Sequence, residues 1–213
     1  MSLKPNKRGP VSSKHRRRLS LEELTQEARD AIFAAAGVVV GQYGYSGASI
    51  KRITEEAGIA QGTFYLYFDS RQSLFDTLLP HAGSDMLRFI RKRVQGACDI
   101  YEMEERGFRA FFEYLQRKPG FIRILNEAES AAPVAYSKHF RMLGEHYHKA
   151  LMRGVARGEI RNFDSDELET VTYMLMAARS YIYLRYLKDE VNRDELPEKV
   201  VQAYMKLIRD GLR

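Results

Sequence analysis

Hydrophobic positions along this chain recur every three to four residues, and no stretch alternates apolar and polar over several positions. That periodicity predicts an all-α protein. Ile32, Phe33, Ala36, Val39, Val40 and Tyr43 make one apolar stripe, ended by Gly44 and the Gly47 turn. Ile50, Ile53 and Ala57 then form one face of a short helix, opened by Ser49 as N-cap and stopped by Gly58. A second short helix begins near Gln61, with Phe64 and Phe68 inward and Gln61, Thr63, Tyr65 and Tyr67 on the other face. Arg71, Leu74, Phe75, Leu78 and Leu79 start the next helix, after which Pro80 and His81-Ala82-Gly83-Ser84 predict a break or kink. Further helices are expected over 84–96, 100–117, 120–129, 134–157, 165–188 and 196–212. Pro119-Gly120, Pro133, Gly158 and Pro197 punctuate them, and Asp164 three residues before Glu167 reads as a capping box.

Two short helices, a tight glycine turn, an apolar inner face and an outer face of amides and hydroxyls describe a helix-turn-helix, whose second helix enters the major groove of DNA. Such a corner also occurs in all-α proteins that never meet nucleic acid. The flanking residues change the balance. Ala28 to Phe33 and Ala36, Gly44-Tyr45, Ile53, Ala57-Gly58-Ile59, Gly62-Thr63-Phe64-Tyr65, Tyr67-Phe68 and Leu74-Phe75 stand at fixed spacing across three helices. In these residues the stretch 28–79 resembles the amino-terminal domain of TetR-type transcriptional regulators. Beyond residue 80 the resemblance is one of length and helical layout.

The resemblance implies a sequence-specific DNA-binding transcriptional regulator: a homodimeric repressor that leaves its double-stranded operator when a small molecule spreads its two reading heads. Three positions depart from the family pattern. Ala60 stands where a Ser or Thr usually caps the recognition helix, at a cost of about 1 kcal/mol. Thr54 replaces a usual alanine, and Arg71-Gln72 replaces a common Lys-Glu pair.

Geometry and resemblance together assign the DNA contacts. Ser49 and Lys51 lie where a hydroxyl and an ammonium meet phosphate oxygens at a helix start. Gln61 and Thr63, in the first turn of the recognition helix, suit adenine and the thymine methyl, and Gly62 lets backbone approach the duplex. Tyr65, Tyr67 and Arg71 are placed for phosphate contacts.

Charge is unevenly distributed. The chain carries a net +6, but residues 1–21 hold seven bases and no acid, residues 22–80 hold four bases against eight acids, and residues 81–213 hold 23 against 20. The expected DNA-reading segment is therefore acidic, and the positive charge sits on a tail. This divides the chain into a basic flexible arm at 1–24, a helix-turn-helix domain at 25–80, and a larger helical ligand-binding and dimerisation domain at 81–213. Arg16, Arg17 and Arg18 are the arm's candidates for phosphates or a flanking minor groove, against the plainer reading of a solvated tail.

From Tyr173 to Leu187 the chain is apolar or aromatic on almost every helical face, which demands burial on more than one side. With Val200, Val201, Tyr204, Leu207, Ile208 and Leu212 it suits a four-helix interface between two copies, formed by residues 165–188 and 196–212. Such a two-fold pair sets recognition helices about one DNA turn apart. A helix at the core of a monomer is the alternative.

Phe121, Tyr147 and Tyr173 belong to an aromatic and methionine-rich set that serves as plain core or as the lining of a pocket for a small hydrophobic or amphipathic effector. Arg179, set in an apolar helix, requires a partner, either Glu127 or Glu129 or an anionic ligand such as a fatty acid or acyl thioester.

An enzyme is not expected. His146 and His148 stand two apart on a helix and face different ways, while His139 and His146 lack a third ligand, so neither a metal site nor another cofactor is indicated. No phosphate loop, nucleophile elbow or Cys/His pair occurs. The one cysteine, Cys98, forms no intrachain disulfide, and no run approaches the ~20 apolar residues of a membrane span. A cytoplasmic protein is the expectation. A non-regulatory DNA-packaging protein is the remaining rival.

Overall fold

The computed structural model describes residues 21–188 and 196–211, with side chains from Thr25 onward. Among them the fold is all-α: α1 (Leu21–Gly47), α2 (Ile50–Ala57), α3 (Gln61–Tyr65), α4 (Arg71–Val94), α5 (Ile100–Arg117), α6 (Phe121–Ala131), α7 (Pro133–Ala156), α8 (Ser165–Tyr186) and α9 (Glu198–Gly211). Arg16, Arg17 and Arg18 lie outside the described residues. Because α1 already begins at Leu21, the arm expected over 1–24 gives way to helix sooner than its composition implied.

Gly44 breaks the first helix as expected. Its φ of 70° and ψ of 173° belong to a region open essentially to glycine. Residues 45–47 continue as a separate turn after that kink. Downstream, Ser49 caps α2 by accepting the Arg52 N–H, and Gly58 closes it in the left-handed conformation at φ 67° and ψ 31°. The Thr54 hydroxyl, fully inside, donates to the Ile50 and Lys51 carbonyls at 3.0 Å. That local bonding lets a threonine occupy a position where packing favours alanine.

The break expected at Pro80 does not occur. Helix α4 runs unbroken from Arg71 to Val94 with Pro80 inside it, so residues 84–96 are the second half of this helix and not a new one. An interior proline costs about 3 kcal/mol. Leu78, Leu79, Gly83 and Met86 are buried on α4, which packs on α1, α5, α6 and α7 at once. Burial of several such side chains, at roughly 1.5–3 kcal/mol each, outweighs the defect. The Ser84 hydroxyl donates to the Pro80 carbonyl at 2.8 Å, and Ser70 and Ser73 cap one another at the helix start.

Consequently the line drawn at residue 80 falls within a continuous helix, and buried apolar side chains from Ile32 to Ile208 form one cluster. Helices α1–α3 with the start of α4 form the head; the remainder of α4 and α5–α9 form the body. The Asp164–Glu167 capping box opens α8 as its spacing predicts.

Candidate nucleic-acid interface and a cavity in the body

The head presents α3 outward. Phe64 is completely buried and meets Phe68 with ring centroids 5.6 Å apart, while Gln61, Gly62 and Tyr65 are exposed and Thr63 and Tyr67 half-buried. Ser49 is half-buried at its cap, and Lys51 is exposed with its Nζ 3.8 Å from Glu55. Arg71 is exposed beside the Phe75 ring, its guanidinium donating to the Ser46 carbonyl at 3.5 Å. Ala60 supplies no side-chain cap, and α3 spans only five residues.

Sequence reasoning passed over two neighbours. Arg52 donates to the Gly47 carbonyl at 2.6 Å and covers the Tyr43 ring, fastening α2 to the end of α1. Leu66, which closes α3, is 79% exposed, an apolar side chain bare on the head. Both lie within the motif; neither is needed to recognise it, which is why the spacing did not single them out.

The body encloses a cavity of about 460 Å³ between α4, α5, α6, α7 and α8. Phe121, Tyr147 and Arg179 line it; Tyr173 does not. Tyr173 shares a stripe of α8 with Ser180 but stands seven residues earlier, roughly 10 Å along the axis, so it falls below the level at which Met176, Arg179 and Ser180 line the cavity. The tyrosine instead lies across α7, so close that a Cβ on Gly144 would approach its hydroxyl to 2.9 Å.

Arg179 is paired internally, but with neither Glu127 nor Glu129. Its partner is Glu104 of α5, 3% exposed as a side chain, at 2.5 Å. Glu104 Oε1 also accepts the hydroxyls of Tyr147 at 2.6 Å and Tyr204 at 2.5 Å. Arg179 further donates to the Tyr147 hydroxyl and the Leu175 carbonyl, each at 2.9 Å. Burial alone lowers the guanidinium's proton affinity, but the charge of Glu104 more than reverses this, and its pKa stands well above the ordinary value. Burial pushes the Tyr147 and Tyr204 hydroxyls up as well, so both remain donors. Three donors on one carboxylate oxygen satisfy a buried charge that would otherwise be prohibitive.

The signal for Glu104 was present but masked. It sits in a run of charged residues, Glu102 to Arg106, that reads as a solvated face. Yet Ile100, Glu104, Gly107, Phe108 and Phe111 share one helical face, and all five are buried. Glu127 is engaged elsewhere: it accepts the Tyr45 backbone N–H at 2.8 Å and the Arg123 guanidinium at 2.7 Å.

Two further features of the cavity matter chemically. Arg91, Lys149 and Arg153 are exposed along its lining, and none is held by a carboxylate among the described residues. At the other end His139 is fully buried, with neither ring nitrogen bonded to a described residue. Burial lowers its pKa to about 4, so the ring is neutral at physiological pH. An unmet donor or acceptor of this kind costs about 1–3 kcal/mol.

No group of three or more His, Cys, Asp or Glu among the described residues is placed to hold a metal ion. His146 Nδ1 lies 2.7 Å from the Met142 carbonyl and His148 Nε2 3.5 Å from the Ser165 hydroxyl. No helix among the described residues is long and apolar enough to cross a membrane.

Residues 32–78 match the model of the family described as bacterial regulatory proteins, tetR family. The chain is 38% identical over 81 residues to an uncharacterized HTH-type transcriptional regulator, YvdT, of Bacillus subtilis, covering 38% of this chain and 42% of that protein. It thus spans less than half the length of that relative. Among solved structures, the fatty acid degradation regulator FadR from Bacillus halodurans superposes with a TM-score of 0.72 at 21% identity, over 86% of this chain and 95% of that one. The transcriptional regulator FadR from Bacillus subtilis in complex with stearoyl-CoA gives a TM-score of 0.72 at 18% identity, over 87% of this chain and all of the other, 100%. At those identities the superpositions establish the fold. Residues 32–78, which lie in the head of that fold, thus resemble the tetR family of bacterial regulatory proteins.

Proposed function

We propose that this chain is a homodimeric, sequence-specific DNA-binding transcriptional repressor that leaves its operator when an amphipathic anion enters the body. The observation that carries the DNA-binding reading is the outward placement of Gln61, Gly62 and Tyr65 on a helix anchored by the buried Phe64. Gln61 and Thr63 address base edges; Ser49, Lys51, Tyr65, Tyr67 and Arg71 address the backbone. With the head itself acidic, Arg16, Arg17 and Arg18 supply the phosphate attraction that the head lacks.

Dimerisation is supported by apolar surface left bare on the single chain. Met174 and Tyr181 of α8 are 65% and 72% exposed, and Leu207 of α9 is 69% exposed. Large apolar side chains at these levels on neighbouring helices suit a second copy.

The effector follows from the division of charge within the cavity. Glu104 neutralises Arg179 at the inner wall, while Arg91, Lys149 and Arg153 remain free of carboxylates. An anionic head therefore sits among those three cations with its apolar chain inside, a layout that suits a long-chain acyl-CoA. The structural likeness to a FadR bound to stearoyl-CoA supports the same class.

Selection of bound sequences from a random duplex pool, followed by fluorescence anisotropy against a scrambled duplex, tests this function. Specific binding tighter by about a thousandfold or more is expected, with release on adding hexadecanoyl-CoA. Equal binding to selected and scrambled duplexes would favour a DNA-packaging protein instead.

A further inference from the structure

The inner wall of the cavity holds a positive and a negative charge side by side. Arg179 of α8 and Glu104 of α5 both line it, with 12% and 3% of their side chains exposed. Arg179 Nη2 donates to Glu104 Oε1 at 2.5 Å, and the same oxygen accepts the Tyr147 and Tyr204 hydroxyls. A guanidinium is always charged, and its planar fork of five N–H donors matches a carboxylate. Here the carboxylate it holds is the protein's own.

That internal pairing leaves the inner wall without net charge. Around it the lining is largely apolar, with Met103, Phe111 and Leu143. A second carboxylate pressed against this guanidinium would shed its water and stand beside Glu104, leaving an uncompensated negative charge in an apolar site. The cations not held by a carboxylate among the described residues, Arg91, Lys149 and Arg153, are exposed. Lys149 and Arg153 stand four residues apart on α7 and so share a face. They favour a head group with several negative charges that stays in water.

We propose that Glu104 is a specificity-determining residue that bars free fatty acids from the inner wall, so that the cavity answers to acyl chains whose anionic head stays outside, as in an acyl-CoA thioester. This rests on the effector reading above and narrows it. Tyr204 is a positioning residue in the same device: it lies on α9 away from the cavity lining, and its hydroxyl holds the Glu104 carboxylate against Arg179.

Isothermal titration of the full-length protein with hexadecanoate and hexadecanoyl-CoA tests the idea. Wild type is expected to bind the free acid at least about tenfold more weakly than the thioester, because an unpaired like charge is built against it. Glu104→Gln keeps the shape and an acceptor but leaves the Arg179 charge unopposed. Its affinity for hexadecanoate should rise about tenfold or more, and the gain should survive added salt because the new ion pair lies inside. Removing one partner of a buried pair also weakens the fold, so hexadecanoate should raise the Tm of Glu104→Gln more than that of wild type. Glu104→Gln combined with Arg179→Gln removes both charges; it should still bind the thioester and lose the gain. Equal affinities of wild type for acid and thioester overturn the inference without need of any variant. So does an unchanged affinity of Glu104→Gln for hexadecanoate, or a gain that persists once Arg179 is replaced. In each of these cases tight binding of the thioester to wild type leaves the effector reading standing, whereas its failure to bind overturns both.

Discussion

Glu127 on α6 accepts the backbone N–H of Tyr45, 82 residues away in sequence, at 2.8 Å. The break at Gly44 leaves groups at the end of α1 in need of partners, and α6 provides them. Arg123 donates to the Gln42 carbonyl at 2.7 Å while also pairing with Glu127. The two helices approach closely enough for this because Gly41 faces Gly120, where a Cβ would come within 2.7 Å of the opposing Cα. One acid and one base thus latch the head to the body.

Removing the latch should loosen that junction. Glu127→Ala leaves the Tyr45 N–H without its acceptor and is expected to cost about 1–3 kcal/mol in urea denaturation. Glu127→Gln keeps an acceptor and should cost less. Burial acts to raise the Glu127 pKa, but the hydrogen bonds from Arg123 and Tyr45 prevail and hold it below the ordinary 4.5. Its contribution is therefore present above that value and lost as pH falls below it. Glu127→Gln should flatten the acid limb of the stability curve.

Gly83 offers a steric test of the contact between α4 and the cavity. In Gly83→Ala the new methyl and the His139 ring cannot both keep their places. Overpacking of this kind is expected to cost about 1–3 kcal/mol, read as a lower Tm, and to weaken acyl-CoA binding. Gly62→Ala is the control, since a Cβ there meets nothing within 4 Å. It should leave Tm nearly unchanged.

His139 sets a second pH dependence at higher pH. The folded chain keeps the ring neutral down to about pH 4, whereas an unfolded chain protonates it near 6.5. Stability from this residue is complete above 6.5 and declines as pH drops towards 4, by about 3 kcal/mol in all. Thermal melts should show wild type losing stability across that interval as the pH falls, while His139→Phe lacks that loss.

The bare faces of α8 and α9 predict the effect of charge. Met174→Glu combined with Leu207→Glu places carboxylates where a second copy would cover apolar surface. Light scattering should report a monomer in place of a dimer. Anisotropy should show weaker operator binding, because one head then binds without its twin.

DNA contacts separate by their salt response. Gln61→Ala should relax sequence preference and cost about 1–3 kcal/mol on the selected duplex alone. Neutralising Arg16, Arg17 and Arg18 together should weaken binding to all duplexes alike and reduce the slope of affinity against salt. An unchanged slope would show the arm to be a solvated tail.

How much was legible in the chain depended on whether the information was local. Helical periodicity, the Ser49 and Asp164 caps and the left-handed Gly58 are settled by residues within one turn, so the layout of nine helices among the described residues follows the sequence closely. The outward face of α3 follows too, because Phe64 and Phe68 can satisfy their burial in only one orientation. Long-range pairing did not follow. Arg179 announced that it needed a carboxylate, but its partner stands 75 residues away in sequence, and Glu104 hid among charged neighbours. Nor could Pro80 be weighed locally, since the compensation for its missing hydrogen bond comes from four other helices packed on α4.

The sequence by itself determined an all-helical chain with a head resembling the TetR type, an acidic helix-turn-helix segment preceded by a basic tail, and an excess of apolar residues on its last helices. Only the tertiary structure decided that Arg179 is neutralised by Glu104, that α4 passes through Pro80 unbroken, and that Arg123 and Glu127 join body to head. The physical reason is reach. Backbone caps and amphipathic stripes act within a few residues, whereas a buried charge takes the nearest opposite charge in space.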